Sequence, residues 1–186
     1  MKVIITGRPG IGKTTVFSKT IELLRSKGIT VGGFVCPEIR RGGIRVGFDI
    51  VDILSGERSP LARVSGLSSS DVCVARVGKY CVLEDAVTVG CNAIDVALRA
   101  ADVIGIDEVG PMELKLAKLR RCMEKVLKDP QVTALIVLHR RLTNNVGSLV
   151  KGERRLFWIT ESNRVELPNL IVDIIVNSVK KKNEVQ

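Results

Sequence analysis

Two rhythms alternate along the chain: short unbroken apolar runs, and longer stretches with apolar residues at helical spacing. Val3-Ile4-Ile5, Thr30 to Val35, Asp102 to Ile106, Val132 to Leu138 and Leu156 to Thr160 are of strand length. Runs this continuous in apolar residues are what strands buried on both faces require. Between them, Phe17, Ile21 and Leu24 fall at i, i+4, i+7 and predict a helix with one buried face. Lys27-Gly28 ends it. Cys91, Ile94 and Leu98 share a face of a second helix beginning about Gly90. Leu116, Leu119, Met123 and Val126 mark a third, closed by Asp129-Pro130. Leu170 to Val176 is β-branched enough for a strand, but Pro168 near the start and Lys180-Lys181-Lys182 near the end predict a helix.

From Cys36 to about Val64 the texture changes. Ile44-Arg45-Val46-Gly47-Phe48-Asp49-Ile50 alternates in part, Ser55-Gly56-Glu57 reads as a turn, and a return segment runs from Pro60 to Val64. A β-hairpin or small antiparallel meander is expected over residues 36–64. Gly66-Leu67-Ser68-Ser69-Ser70 reads as a loop and Tyr80 to Leu83 as another strand. Strands alternating with helices imply an α/β domain with a mostly parallel sheet, and ligands at the carboxyl ends of its strands. Without repeats or linker, residues 1–186 are expected to form one domain.

The first strand runs into Gly7-Arg8-Pro9-Gly10-Ile11-Gly12-Lys13-Thr14, which meets GxxxxGK[ST] at every fixed position. Glycines let backbone N–H groups turn inward around a phosphate, and the helix behind them adds a partial positive charge. Lys13 is expected to reach the β- and γ-phosphates, and the Thr14 hydroxyl to sit on Mg²⁺. Asp107-Glu108 and His139-Arg140-Arg141 also follow apolar strands directly, so connectivity alone puts all three motifs on one sheet edge. A carboxylate there holds Mg²⁺ through its shell, which suits Asp107. Side chains alternate along a strand, leaving Glu108 to orient and deprotonate a water beyond the γ-phosphate.

Arg40, Arg41, Arg140, Arg141 and Arg164 are candidates for stabilising transition-state charge, although arginines are more often surface cations. Asn163-Arg164 approaches either the base or the phosphates. His139, the sole histidine, reads as a hydrogen-bonded structural residue ahead of a proton shuttle. Trp158, between Phe157 and Ile159, reads as core.

A net charge of +9 raises nucleic-acid binding, but aromatics are 3% of residues, too few for a base-stacking platform. Nucleic acid is therefore not the favoured partner. The absence of an 18-residue apolar run argues against a membrane span, and a first strand at the N-terminus leaves no room for a leader. A cytoplasmic monomer is expected. Cys36, Cys73, Cys81, Cys91 and Cys122 contain no C-x-x-C pair and read as buried, reduced thiols.

Beyond the Walker elements, Pro37-Glu38-Ile39-Arg40, Gly42 to Phe48, Gly56-Glu57, Leu61-Ala62-Arg63 and Val77 to Tyr80 form a pattern. With Asp107-Glu108-Val109-Gly110-Pro111-Met112-Glu113-Leu114 and Asn163-Arg164, it resembles P-loop nucleoside-triphosphatases of the THEP or cancer-related type. The resemblance implies a RecA-like sheet flanked by helices, hydrolysing ATP, GTP and other nucleoside triphosphates to diphosphate and phosphate with Mg²⁺. It assigns Gly7 to Thr15 and Asp107 to nucleotide binding, Thr14 and Asp107 to the metal, and Lys13 and Glu108 to catalysis. A nucleoside or nucleotide kinase and a nucleic-acid-stimulated ATPase are the competing readings. A kinase needs an acceptor pocket and a cationic lid, for which the arginines between Arg40 and Arg45 are available.

Overall fold

A computed structural model describes residues 1–65 and 73–183; the loop expected at 66–70 lies outside the described residues. Ten strands form one sheet: β1 Lys2–Thr6, β2 Val31–Val35, β3 Glu38–Arg41, β4 Ile44–Asp52, β5 Arg58–Val64, β6 Cys73–Val77, β7 Tyr80–Leu83, β8 Val103–Val109, β9 Ala134–Leu138 and β10 Arg154–Trp158. The helices are α1 Lys13–Ser26, α2 Ala86–Ala100, α3 Pro111–Lys115, α4 Ala117–Lys128, α5 Val146–Leu149 and α6 Leu167–Asn183, with a 3₁₀ turn at Arg140–Asn145. The sheet order is β10-β1-β9-β8-β2-β4-β5-β7-β6, with β3 paired on β4. From β10 to β2 the pairs are parallel, and from β4 outward they are antiparallel.

The apolar patterns sort onto two faces. Val3, Ile5, Leu135 and Val137 pack with Val16, Phe17, Ile21 and Leu24 of α1 and Ile171, Val172 and Ile175 of α6. Ile4, Ile104, Ile106 and Ile136 meet Ala93, Ile94 and Ala97 of α2 and Leu119, Met123 and Val126 of α4 on the other. Burial of each large side chain is worth about 1.5–3 kcal/mol, so the helices are held mainly by these stripes. No described helix is long and apolar enough to cross a membrane.

The antiparallel meander expected over residues 36–64 is present as β3, β4 and β5, and β4 joins it to the main sheet by pairing antiparallel with β2. Other expectations are corrected. Helix α2 starts at Ala86 rather than Gly90, since Ala86 and Val89 are buried against the sheet. Trp158 is 51% exposed instead of buried, because β10 is an edge strand. The cysteines are not all free: Cys73 joins Cys81 across β6 and β7, and Cys91 joins Cys122 between α2 and α4, with Cα separations of 5.3 and 5.5 Å. Cys36 is the free thiol among the described cysteines.

Candidate active site

Residues 7–12 form the turn between β1 and α1. Gly10 and Gly12 hold φ of 76° and 106°, conformations that L side chains rarely adopt, so the glycine spacing is a backbone requirement. A Cβ at either position would meet nothing within 4 Å, so it is the backbone conformation rather than crowding that calls for glycine. Gly12 caps α1 without a side-chain hydrogen bond, and no acid stands in the first turn. The first N–H groups of α1 thus have no side-chain acceptor, and the helix dipole adds positive charge at the same point. Lys13 lies over the turn, its Nζ 3.5 Å from the Arg8 carbonyl. Arg8, Pro9, Thr14 and Thr15 are exposed around it, and Ile11 is half-buried.

Asp107 and Glu108 come to the same place from β8. Their strand is separated from β1 by β9 alone. Asp107 is 3% exposed, and its Oδ2 has no hydrogen-bond partner among the described residues. Burial pushes its carboxyl up to about 6, with the Thr14 hydroxyl and the Lys13 ammonium acting the other way. Burial likewise raises Glu108 to about 7, where Lys13 opposes the rise and Asp107 adds to it. Both acids therefore sense the lysine of the phosphate loop.

Glu108 is aimed by a feature the sequence did not reveal. Register passes from Asp107↔Val137 to Val109↔Leu138, leaving Glu108 as the extra residue of a β-bulge. A bulge turns a side chain away from the simple alternation assumed for a regular strand. The Asp107–Glu108 peptide is cis.

Sequence reasoning also assigned no part to Glu113. It is 5% exposed on α3, and a Cβ at Gly110 would meet Glu113 Oε2 at 2.9 Å and Glu108 Oε1 at 2.8 Å. Gly110 leaves room for both carboxyls to lie against the same backbone. Burial raises Glu113 to about 8, and the charges of Glu108 and Asp107 push the same way. The Cys36 thiol beside these acids is raised well above its ordinary value, first by burial and then by Glu113 and Asp107. The one available sequence signal for Glu113 was a glutamate inside an otherwise apolar Pro-Met-Glu-Leu turn.

His139 stands at the end of β9, between the two halves of the site. Its Nδ1 accepts the Arg141 N–H at 3.3 Å, the structural role expected, so neutral His139 carries its proton on Nε2. Burial lowers its pKa, and Lys13, Arg141 and Arg140 lower it further. Arg40 and Arg45 are engaged with Glu38, at 2.8 and 2.6 Å, and Arg45 also stacks on Phe48. Those contacts occupy two arginines that a kinase-type lid would use. Arg140, Arg141 and Arg164 are exposed. Arg164 lies in the turn after β10, and the root of that turn adjoins the phosphate loop: the Ile159 carbonyl is 3.1 Å from where a Gly7 Cβ would stand.

The orphaned Asp107 oxygen and the adjacent Thr14 hydroxyl fit a hard divalent cation. Mg²⁺ keeps several waters and takes only one or two protein oxygens besides phosphates. No group of three or more acidic, His or Cys side chains placed to hold a metal together occurs among the described residues.

Comparison with known proteins identifies the family and the fold. A family model described as NTPase matches residues 2–172. The nucleoside-triphosphatase THEP1 of Thermofilum pendens is 41% identical over 182 residues, covering 96% of this chain and 97% of that one. THEP1 of Methanopyrus kandleri is 40% identical over 183 residues, covering 97% and 98%. The crystal structure of THEP1 from Aquifex aeolicus superposes with a TM-score of 0.77 at 29% identity, over 94% of this chain and 99% of that one. The solution structure of a human cancer-related nucleoside triphosphatase gives 0.70 at 32% identity, over 93% and 96%.

Proposed function

Because the chain belongs to this NTPase family, we propose that it hydrolyses nucleoside triphosphates to diphosphate and phosphate, as one domain over residues 1–186. The observation that carries the reading is the convergence of Lys13, Asp107 and Glu108 at one sheet edge, with the bulge turning Glu108. Gly7 to Thr15 would wrap the triphosphate with backbone N–H groups, and Lys13 would neutralise its β- and γ-oxygens. Asp107 and Thr14 would hold Mg²⁺, which supplies further neutralisation of phosphate charge. Glu108, ionised, would accept a proton from water as its oxygen bonds to the γ-phosphorus in line with the β–γ bridge. The bond to the bridging oxygen breaks, and the electron pair leaves with the nucleoside diphosphate. Arg164 would touch the nucleotide from the turn after β10.

Backbone N–H groups and one ammonium grip what every nucleoside triphosphate shares, which supports broad base use. The basic surface suits free polyanionic nucleotides, and we read the enzyme as a cytoplasmic monomer. Phosphate release from ATP, GTP, CTP and UTP, with and without EDTA, nucleosides and RNA or DNA, tests the proposal. Release without any acceptor, abolished by EDTA and indifferent to nucleic acid, is expected. Phosphate transferred to an added nucleoside in preference to water would replace hydrolase with kinase.

A further inference from the structure

The order of strands fixes the direction in which a bound nucleotide runs. Along the carboxyl edge the strands come as β10, β1, β9, β8. The phosphate loop issues from β1, and Glu108 stands on β8, two strands to one side. A terminal phosphate that meets Glu108 must lie toward β9 and β8. The nucleoside end is then directed the other way, over β10, and what stands there is the turn from Ile159 into α6. Resting on the reading of the phosphate loop as a triphosphate seat, we propose that this turn is the nucleobase seat, with Arg164 and Val165 as its contact surface.

The turn is built and rigid before any ligand arrives. Asn163 Oδ1 accepts the Thr160 N–H at 2.9 Å, and its Nδ2 donates to the Trp158 carbonyl at 2.9 Å. The Arg164 N–H reaches the Thr160 carbonyl at 3.2 Å, and the Leu167 N–H reaches the Asn163 carbonyl at 2.9 Å. Ile159 at the root of the turn is 4% exposed and abuts Gly7. Against this frame Val165 is held 79% exposed, the most exposed large apolar side chain among the described residues. Arg164 beside it makes no ion pair among them. A planar guanidinium and an apolar side chain both pack on the face of a base, and every base has such a face.

The side chains of Asn163, Thr160 and Ser162 that could read a base edge are each engaged within the turn. Both ends of the Asn163 amide are spent inside the turn, and the Thr160 and Ser162 hydroxyls bond each other at 2.9 Å. The exposed contact surface is thus one for the face of a base: purines and pyrimidines all bind, with the larger purine face favoured modestly. Asn163 is a positioning residue in this scheme, while Arg164 and Val165 touch the ligand.

The test compares dissociation constants for ATP, GTP, CTP, UTP and inorganic triphosphate, measured by competition, in the intact protein and in an Arg164→Ala/Val165→Ser double variant. Loss of a stacking contact is expected to weaken all four nucleotides roughly 10- to 100-fold, leaving inorganic triphosphate and Tm unchanged. Trp158, the sole tryptophan and neighbour of the turn, provides a second signal. Its fluorescence is expected to shift with nucleotides and not with inorganic triphosphate. Undiminished nucleotide affinity in the double variant, or an equal loss for inorganic triphosphate, overturns the proposal. So does a wild-type protein that binds inorganic triphosphate as tightly as ATP. If the wild type binds neither, the phosphate-loop reading itself is what fails.

Discussion

Replacing Glu108 with glutamine keeps the size and a polar end of the side chain and removes its charge and its ability to take a proton. Folded Glu108 sits at about 7, raised by burial and by Asp107 and restrained by Lys13. A base with a pKa near the operating pH is well matched to proton transfer, and such a group contributes typically 10²–10⁴-fold. Glu108→Gln is therefore expected to lower kcat by roughly that factor while nucleotide affinity stays within a few-fold. The pH dependence adds a second signature. Since kcat/KM reports the free enzyme, it should rise about tenfold per pH unit between 6 and 7 as Glu108 loses its proton, more steeply below 6 where Asp107 is protonated as well, and level off above 7. The terminal phosphate of the substrate also titrates in this region, with a second pKa near 6. The variant separates the two, because a limb due to substrate persists in Glu108→Gln and a limb due to Glu108 disappears. Steady-state phosphate release from pH 5.5 to 9, with binding measured in parallel, checks both. A variant within threefold of wild-type turnover, or one retaining the whole limb, would refute the assignment.

Three further outcomes follow from the structure. Lys13→Ala should weaken triphosphate binding at least tenfold, for inorganic triphosphate as well as for nucleotides, and calorimetry showing equal affinity would contradict the phosphate-loop geometry. The Cys91–Cys122 bridge closes a separation of 31 residues, worth roughly 3–4 kcal/mol by loop-closure entropy. Cys122→Ser should thus lower Tm by about 5–15 °C without reductant, and reductant should erase the difference; identical melting without reductant would show the thiols unpaired. Unfolded Glu113 ionises near 4.5 and folded Glu113 near 8, so the folded state holds the extra proton between them and stability declines as pH rises through that window. Glu113→Gln should flatten the decline in Tm from pH 5 to pH 8, and an unchanged slope would assign it to other groups.

The core of the candidate site could be proposed from sequence because the constraints behind it are local. A phosphate loop needs glycines at fixed spacing and a helix immediately behind, and residues 7–14 carry both in consecutive positions. Asp107-Glu108 was legible because an apolar run reaching two acids marks a strand end at a sheet edge. What escaped depends on neighbours distant in sequence. The bulge that frees Glu108 arises where β8 slips one residue against β9, and nothing in Asp-Glu-Val announces it. Trp158 looks like core in a Phe-Trp-Ile run and is exposed where β10 ends the sheet, no strand among the described residues pairing beyond it. Cys91 and Cys122 meet because α2 packs on α4, and cysteine spacing alone cannot report that contact. The start of α2 at Ala86 was hidden by Val87-Thr88-Val89, whose β-branched preference is overridden by burial of Ala86 and Val89.

The raised carboxyls connect fold and chemistry. Asp107 and Glu113 are nearly excluded from water, and Glu108 is mostly so, on a sheet edge with one neighbouring lysine. Keeping three acids there costs stability as the pH rises, and a fold optimised for stability alone would place apolar side chains at these positions. The arrangement makes sense for a site completed by its ligand. A cation held by Asp107 would favour its ionised form, and a dry Glu108 beside it would retain a pKa close enough to neutrality to accept a proton and pass it on. The same exclusion of water strengthens the pull of Lys13 on the phosphates. The cost borne by the empty site and the rate expected of the filled one therefore have a single source, the burial of β8 between β9 and β2 up to its last residues. A substitution that opens that burial without touching an acid is bound to relax the carboxyl pKa values and slow the reaction together.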